Sequence, residues 1–134
     1  MSERVFRDED LRGATFDDVT LADAKFLNVS LRAATFDDVA LAVAKILNVN
    51  LSGATFIDGD MRRLSIRDAN LEGAVLEDVN LSGATLVDVD MSRLSIRDAN
   101  LEGVVIENAN VNGMKVNGFD IDALIDAERK RRGA

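Results

Sequence analysis

The side chains of this 134-residue chain that are grouped closely enough for acid–base or metal chemistry are carboxylates. Asp17-Asp18 and Asp37-Asp38 are adjacent pairs, and Asp18, Asp38, Asp58, Asp78 and Asp98 recur every twenty residues. Paired carboxylates can divide the roles of general acid and base, or supply the oxygen ligands that calcium prefers. The partners such chemistry usually needs are missing, because the chain has no Cys, His, Tyr, Trp or Pro. Their absence excludes thiol nucleophiles, disulfides, imidazole bases and nearly every structural zinc arrangement. No glycine loop of the phosphate-cradling kind occurs, nor does the glycine-aspartate nonapeptide of calcium β-rolls. Neither a catalytic residue, a cofactor nor a metal is therefore expected. The carboxylates read better as a surface.

Composition limits what can carry that surface. Hydrophobic residues make up 47% and aromatic residues only 4%, so the core must be built from Leu, Val, Ile and Ala in thin, regular layers. No apolar run approaches the ~20 residues of a membrane span. The first ten residues (MSERVFRDED) are charged, unlike a secretory signal, so a cytoplasmic location without membrane contact is expected. A net charge of −8 opposes direct binding to nucleic acid and favours a basic partner.

The elements follow from a period of five. From Phe6 to Ile121, each of the 24 residues reached in steps of five is apolar, without an insertion. Two residues before each, from Ala14 onward, stands another mostly small or apolar side chain. Five matches neither the 3.6 of a helix nor the 2 of a strand. Longer repeats sharpen the picture. Residues 11–30 (LRGATFDDVTLADAKFLNVS) recur as 31–50 (LRAATFDDVALAVAKILNVN), a repeat of four pentads that suits a square coil. Residues 61–75 recur as 91–105, one and a half such coils apart, which places the two copies on opposite sides. The fifth pentad position is mostly Asp, Asn, Gly or Ala, and Gly and Asx tolerate the backbone angles of a corner.

Ala-Asn-Leu-Glu-Gly (69–73 and 99–103) and Ala-Thr-Phe-Asp-Asp (14–18 and 34–38) resemble the pentapeptide repeat family, and the resemblance runs over about residues 4–123. It implies an all-β solenoid, a right-handed quadrilateral β-helix of about six coils with four pentapeptides per coil. At the ~4.8 Å spacing of β ladders six coils make a rod roughly 29 Å tall. Phe16, Phe36 and Phe56 should stack in one interior column and Phe6 with Phe26 in another, giving the N-terminal half a wider core. The expected division is a β-helix over 1–123 and a capping helix with a basic tail over 124–134. Ile121, Leu124 and Ile125 would share the lid's inner face, Asp122 would cap it, and Met114 and Phe119 would fill the layer beneath. Arg4 and Glu9 occupy positions that are apolar elsewhere, so an irregular first coil is expected.

Summing charge by side isolates the candidate surface. One side carries Asp17, Asp18, Asp37, Asp38, Asp58, Glu77, Asp78 and Asp98 against Arg97 and Lys115, a net −6. These carboxylates are either corner formers that hydrogen-bond their own turns or an acidic face for a partner protein. The first reading draws support from the parallel series Asn28, Asn48, Asp68, Asp88, Asn108, where Asn serves as well as Asp. The second makes the chain a non-catalytic binding or scaffold module. Family members that protect DNA gyrase from quinolones are thought to mimic DNA, so the resemblance implies an alternative: an acidic mimic that binds a topoisomerase or another basic DNA-binding protein. Leu27, Leu47 and Val87, with Val105 on the same side, form a candidate strip for a homodimer. The tail Arg129-Lys130-Arg131-Arg132 is either a solvated helix end or a docking group for another copy's acidic face.

Overall fold

The computed structural model describes residues 5–133. Each pentad forms one side of a square coil, and the chain rises by one coil every twenty residues. Two opposite sides are strands. Sheet A contains β1 (Val5–Arg7), β3 (Lys25–Leu27), β5 (Lys45–Leu47), β7 (Ser65–Asn70), β9 (Thr85–Asp90) and β11 (Val105–Glu107), all parallel in that order. Sheet B contains β2 (Thr15–Asp17), β4 (Thr35–Asp37), β6 (Thr55–Ile57), β8 (Val75–Glu77), β10 (Ser95–Arg97) and β12 (Lys115–Val116), followed by the short β13 (Phe119–Asp120). Every parallel pair keeps a register of twenty, as in Phe16 opposite Phe36 and Phe36 opposite Phe56. The remaining two sides join neighbouring coils through single bridges such as Ser30 with Asn50 and Ala40 with Asp60. The result is the six-coil parallel β-solenoid implied by the repeats.

The period of five has a mechanical origin. The central residue and the one two before it point inward, while the fifth turns the corner with a positive φ. Asp18, Asn48, Gly73 and Asp98, for example, lie at φ 54°, 56°, 69° and 52°. Inward groups form one apolar core from Leu21 to Ile96, with Met114 beyond it. The aromatic columns are as expected: Phe6 stacks on Phe26 at 4.7 Å, Phe16 on Phe36 at 4.8 Å and Phe36 on Phe56 at 4.5 Å. Where Leu and Ile replace Phe beyond Phe56, a void of about 20 Å³ runs between side chains such as Leu76, Leu86 and Ile96. The copied segment SIRDAN falls on opposite sides, as β7 in sheet A and the start of β10 in sheet B.

Both ends depart from expectation. The first coil is regular from Val5 onward, with β1 in register on β3 and Asp10 bridged to Ser30. Exposed Glu9 does not disturb it, because at the rim its side chain reaches water; Arg4 lies outside the described residues. At the other end the pentad rule stops at Val116. Asn117 and Gly118, at φ 49° and 82°, form a tight reversal, and β13 runs back antiparallel along β12. Positive φ at both central residues is the type I′ pattern that Asn-Gly favours. The helix α1 spans Ile121–Arg131, three residues ahead of the expected boundary at 124.

The reversal changes the roles of the terminal residues. Asp120, not Asp122, is the N-cap, accepting from the Ala123 N–H at 3.3 Å; Asp122 sits in the first turn. Phe119 is 65% exposed and does not fill the last layer, because the antiparallel strand carries it outward; Met114 is buried there alone. The helix is a partial lid. Ile121 and Ile125 line an open groove of about 620 Å³ beside Leu101, Val104 and Ile106, while Leu124 faces solvent.

Candidate functional site

The candidate acidic face is the outer surface of sheet B. Alternation along each strand sends Phe16, Phe36, Phe56 and Leu76 inward and their neighbours outward. The resulting outward row reads Asp17, Asp37, Ile57, Glu77, Arg97 in register. Beside it run the corner residues Asp18, Asp38, Asp58, Asp78 and Asp98, all exposed and all with φ between 52° and 57°. The structure thus brings all eight predicted carboxylates onto one side. Ile57 and Arg97 interrupt the row, so the densest charge lies in the N-terminal coils.

The hydrogen bonds separate corner chemistry from surface charge. Asx residues at positions ending in zero hold the turns: the side-chain oxygens of Asn50, Asn70, Asn80, Asp90 and Asn100 accept the N–H two residues on, at 2.8–3.0 Å. The sheet B corner carboxylates make no such bond among the described residues. At the matching corner of sheet A, amides form a ladder: Asn48 Nδ2 donates to Asn28 Oδ1 at 3.2 Å, and Asn28 Nδ2 to Asp8 Oδ1 at 2.7 Å. Five successive aspartates have no N–H with which to build one. The expectation that these Asp residues bond their own turns is corrected: they supply left-handed backbone only.

Ion pairs follow the same division. Arg12 reaches Asp10 at 2.8 Å and Arg62 reaches Asp60 at 2.9 Å, and Arg93 bonds Glu72; all of these lie on the other two sides. Hydrogen bonds from Arg12 and Arg62 hold the Asp10 and Asp60 carboxyls below their ordinary pKa. None of the eight sheet B carboxylates enters an ion pair among the described residues. Asp58, Asp78 and Asp98 rim a shallow groove, open to solvent, of about 600 Å³ that also contains Asn80 and Asn100. Among the described residues no group of three or more carboxylates is placed to hold a metal ion.

The candidate association strip is discontinuous. Leu27 and Leu47 are neighbours, but Arg67 lies between Leu47 and Val87 in the same row. Val105 belongs to the other outward row of sheet A, in line with Thr85. Basic residues were overlooked in the sequence reading: Arg7, Lys25, Lys45 and Arg67 surround Leu27 and Leu47. Reading the sheet A rows at steps of twenty, as was done for sheet B, would have found them. In the tail, Arg131 and Arg132 bond Glu128, and Lys130 pairs with Asp126 at 3.4 Å, so most of its charge is met on its own helix.

These features define a β-solenoid protein built from pentapeptides, with its distinctive chemistry on an outer face. Pentapeptide-repeat family models match residues 34–73, 44–83, 65–103 and 74–113, with eight copies, and the chain belongs to the pentapeptide repeat family. No curated protein sequence matches it. Among solved structures, it is similar to the pentapeptide repeat protein Rfr23 of the cyanobacterium Cyanothece 51142, at 18% identity over 84% of this chain and 87% of that one, with a TM-score of 0.49. A pentapeptide repeat protein of the Arabidopsis thaliana thylakoid lumen is 25% identical over 90% of this chain and 75% of that one, with a TM-score of 0.48. The plasmid-mediated fluoroquinolone resistance protein QnrB1 is 14% identical over 95% of each chain, with a TM-score of 0.41. No helix among the described residues is long and apolar enough to cross a membrane.

Proposed function

We propose that this protein is a non-catalytic binding or scaffold module whose acidic sheet B face docks a basic protein surface. One observation carries the reading: five stacked corner aspartates stand where sheet A uses a partly amide series, and they make no turn bond, ladder bond or ion pair among the described residues. Turn geometry alone needs only Asp or Asn at these corners, and Asn would remove the repulsion. Retaining five carboxylates keeps a negative row that a cationic surface can neutralise.

The second reading is narrower: the basic surface is a DNA-binding groove, of a topoisomerase such as gyrase or of another DNA-binding protein. It is favoured by the regular spacing of the carboxylates along a straight rod, although B-DNA carries charge more densely, about one per 1.7 Å of axis. Replacing Asp38, Asp58 and Asp78 by Asn keeps the left-handed corners and removes three charges. Titration of a labelled polylysine probe should show salt-dependent binding to the native chain and much weaker binding to the triple variant. Equal binding by both would overturn the acidic-face reading. A gyrase supercoiling assay decides whether gyrase is the target, since unchanged supercoiling with the native protein removes it.

A further inference from the structure

The two sheets lie on opposite sides of one square coil and are complementary at the same height. On sheet A, Arg7, Lys25, Lys45 and Arg67 surround the pair Leu27 and Leu47, and Leu47 is 41% exposed. The two outward rows there contain no carboxylate until Glu107. On sheet B, the same coils present Asp17 and Asp37 in the outward row, Asp18, Asp38 and Asp58 at the corner, and Ile57 as an apolar interruption. Both patterns advance by one coil every twenty residues, so cations and carboxylates share one spacing. Two rods laid side by side therefore meet with charges matched coil by coil.

We propose that sheet A of one copy docks, in register and with the rods parallel, on the acidic sheet B of a second copy. Lys25 and Lys45 face Asp17 and Asp37 across the contact, and Leu27 and Leu47 pack near Ile57. The inference rests on sheet B being a binding surface, and it identifies one basic partner as the chain itself. Because the two surfaces differ, the contact is heterologous and leaves a free sheet A at one side and a free sheet B at the other. Each face is one pentapeptide wide, so the buried area falls short of the ~1,000 Å² of a stable interface. The association is consequently weak and dependent on concentration.

Ionic strength gives it a signature. The net charge of −8 on each copy opposes approach at very low salt. Near 0.15 M the Debye length of about 8 Å screens rod from rod while leaving charges in contact; near 1 M, at about 3 Å, the contacts weaken too. Sedimentation velocity of the full chain in a concentration series should show association that is greatest at intermediate salt and lost at high salt. The pair Lys25→Glu with Lys45→Glu should be monomeric, as should Asp17→Lys with Asp37→Lys, and an equimolar mixture of the two should regain association. The same charge change on a neighbouring side, Arg12→Glu with Arg32→Glu, should leave self-association intact.

A native chain that stays monomeric throughout, a mixture that stays monomeric while the native chain associates, or association surviving in both sheet variants overturns the proposal. Loss of association in the Arg12 and Arg32 control also overturns it, by showing that net charge and not face matching is responsible. Circular dichroism establishes that each variant is folded; should one not fold, Lys25→Gln with Lys45→Gln provides the milder test. Polylysine binding separates this proposal from the functional reading. If the native chain and the Lys25 and Lys45 variant both bind the probe but the native chain does not self-associate, the acidic-face function stands and the self-docking falls.

Discussion

Val43 carries the clearest local strain in the molecule. It occupies a fifth pentad position at φ 64°, is 44% exposed, and stands where the preceding repeat has Asp23 at φ 62°. A β-branched side chain in left-handed backbone is a genuine outlier, and the conformation costs ordinary L-residues ~1–2 kcal/mol. Val43→Gly should stabilise the fold by about 1 kcal/mol, after allowing for the larger unfolded-state entropy of glycine. Chemical denaturation measures it, and a lower midpoint for the variant would refute the argument. Gly83 should behave oppositely. It lies at φ 73°, and a Cβ there would meet Arg63 Cγ at 3.3 Å, so Gly83→Ala should destabilise through both backbone strain and crowding.

At the scale of the element, stability depends on whether a coil has neighbours on both sides. The N–H groups of Leu21, Leu31 and Leu41 donate to carbonyls of the next coil at 2.7–2.8 Å, whereas those of Leu101, Gly103, Val111 and Gly113 have no backbone acceptor among the described residues. Hydrogen exchange should therefore be fastest in the coil 101–113, and deleting residues 121–134 should speed it further there while leaving 41–60 protected. Uniform acceleration along the chain would contradict this nearest-neighbour picture. Asn117 acts at the same end, since its Oδ1 accepts the Asp98 N–H at 3.0 Å and its backbone makes the reversal. Asn117→Ala should cost about 1–2 kcal/mol in the same denaturation assay through the lost bond and the left-handed strain. These elements also mark what the sequence conveyed. The coils were legible because every ladder repeats one constraint, so Phe16, Phe36 and Phe56 had to align. The end was not, because Val116 and Ile121 preserve the five-residue spacing and conceal the Asn-Gly hairpin signal between them. For the site, charge by side was legible from steps of twenty. The division of labour among Asx residues was not, since turn-bonding Asp90 and turn-forming Asp98 are the same residue type and differ only in bonding.

At the scale of the whole molecule, the solenoid turns sequence distance into charge proximity. Asp18, Asp38, Asp58, Asp78 and Asp98 are twenty residues apart in the chain and are brought to the ~4.8 Å spacing of the ladder when it folds. Their backbone is hydrogen-bonded coil to coil, so the row cannot spread to relieve its repulsion as an unfolded chain does. The penalty belongs to the native state and is reduced by counterions. Raising sodium chloride from about 0.01 M to about 0.15 M shortens the Debye length from ~30 to ~8 Å, and the thermal midpoint should rise with it. The Asp38, Asp58 and Asp78→Asn variant should start from a higher midpoint and respond less, because it has fewer like charges and gains amides able to form the ladder that Asn28 and Asn48 make on sheet A. Parallel salt responses for native and variant chains would show that the row imposes no folding penalty. The steeper native response links stability to binding, because a cationic partner that neutralises the row relieves the same repulsion that salt does and so stabilises the rod it binds.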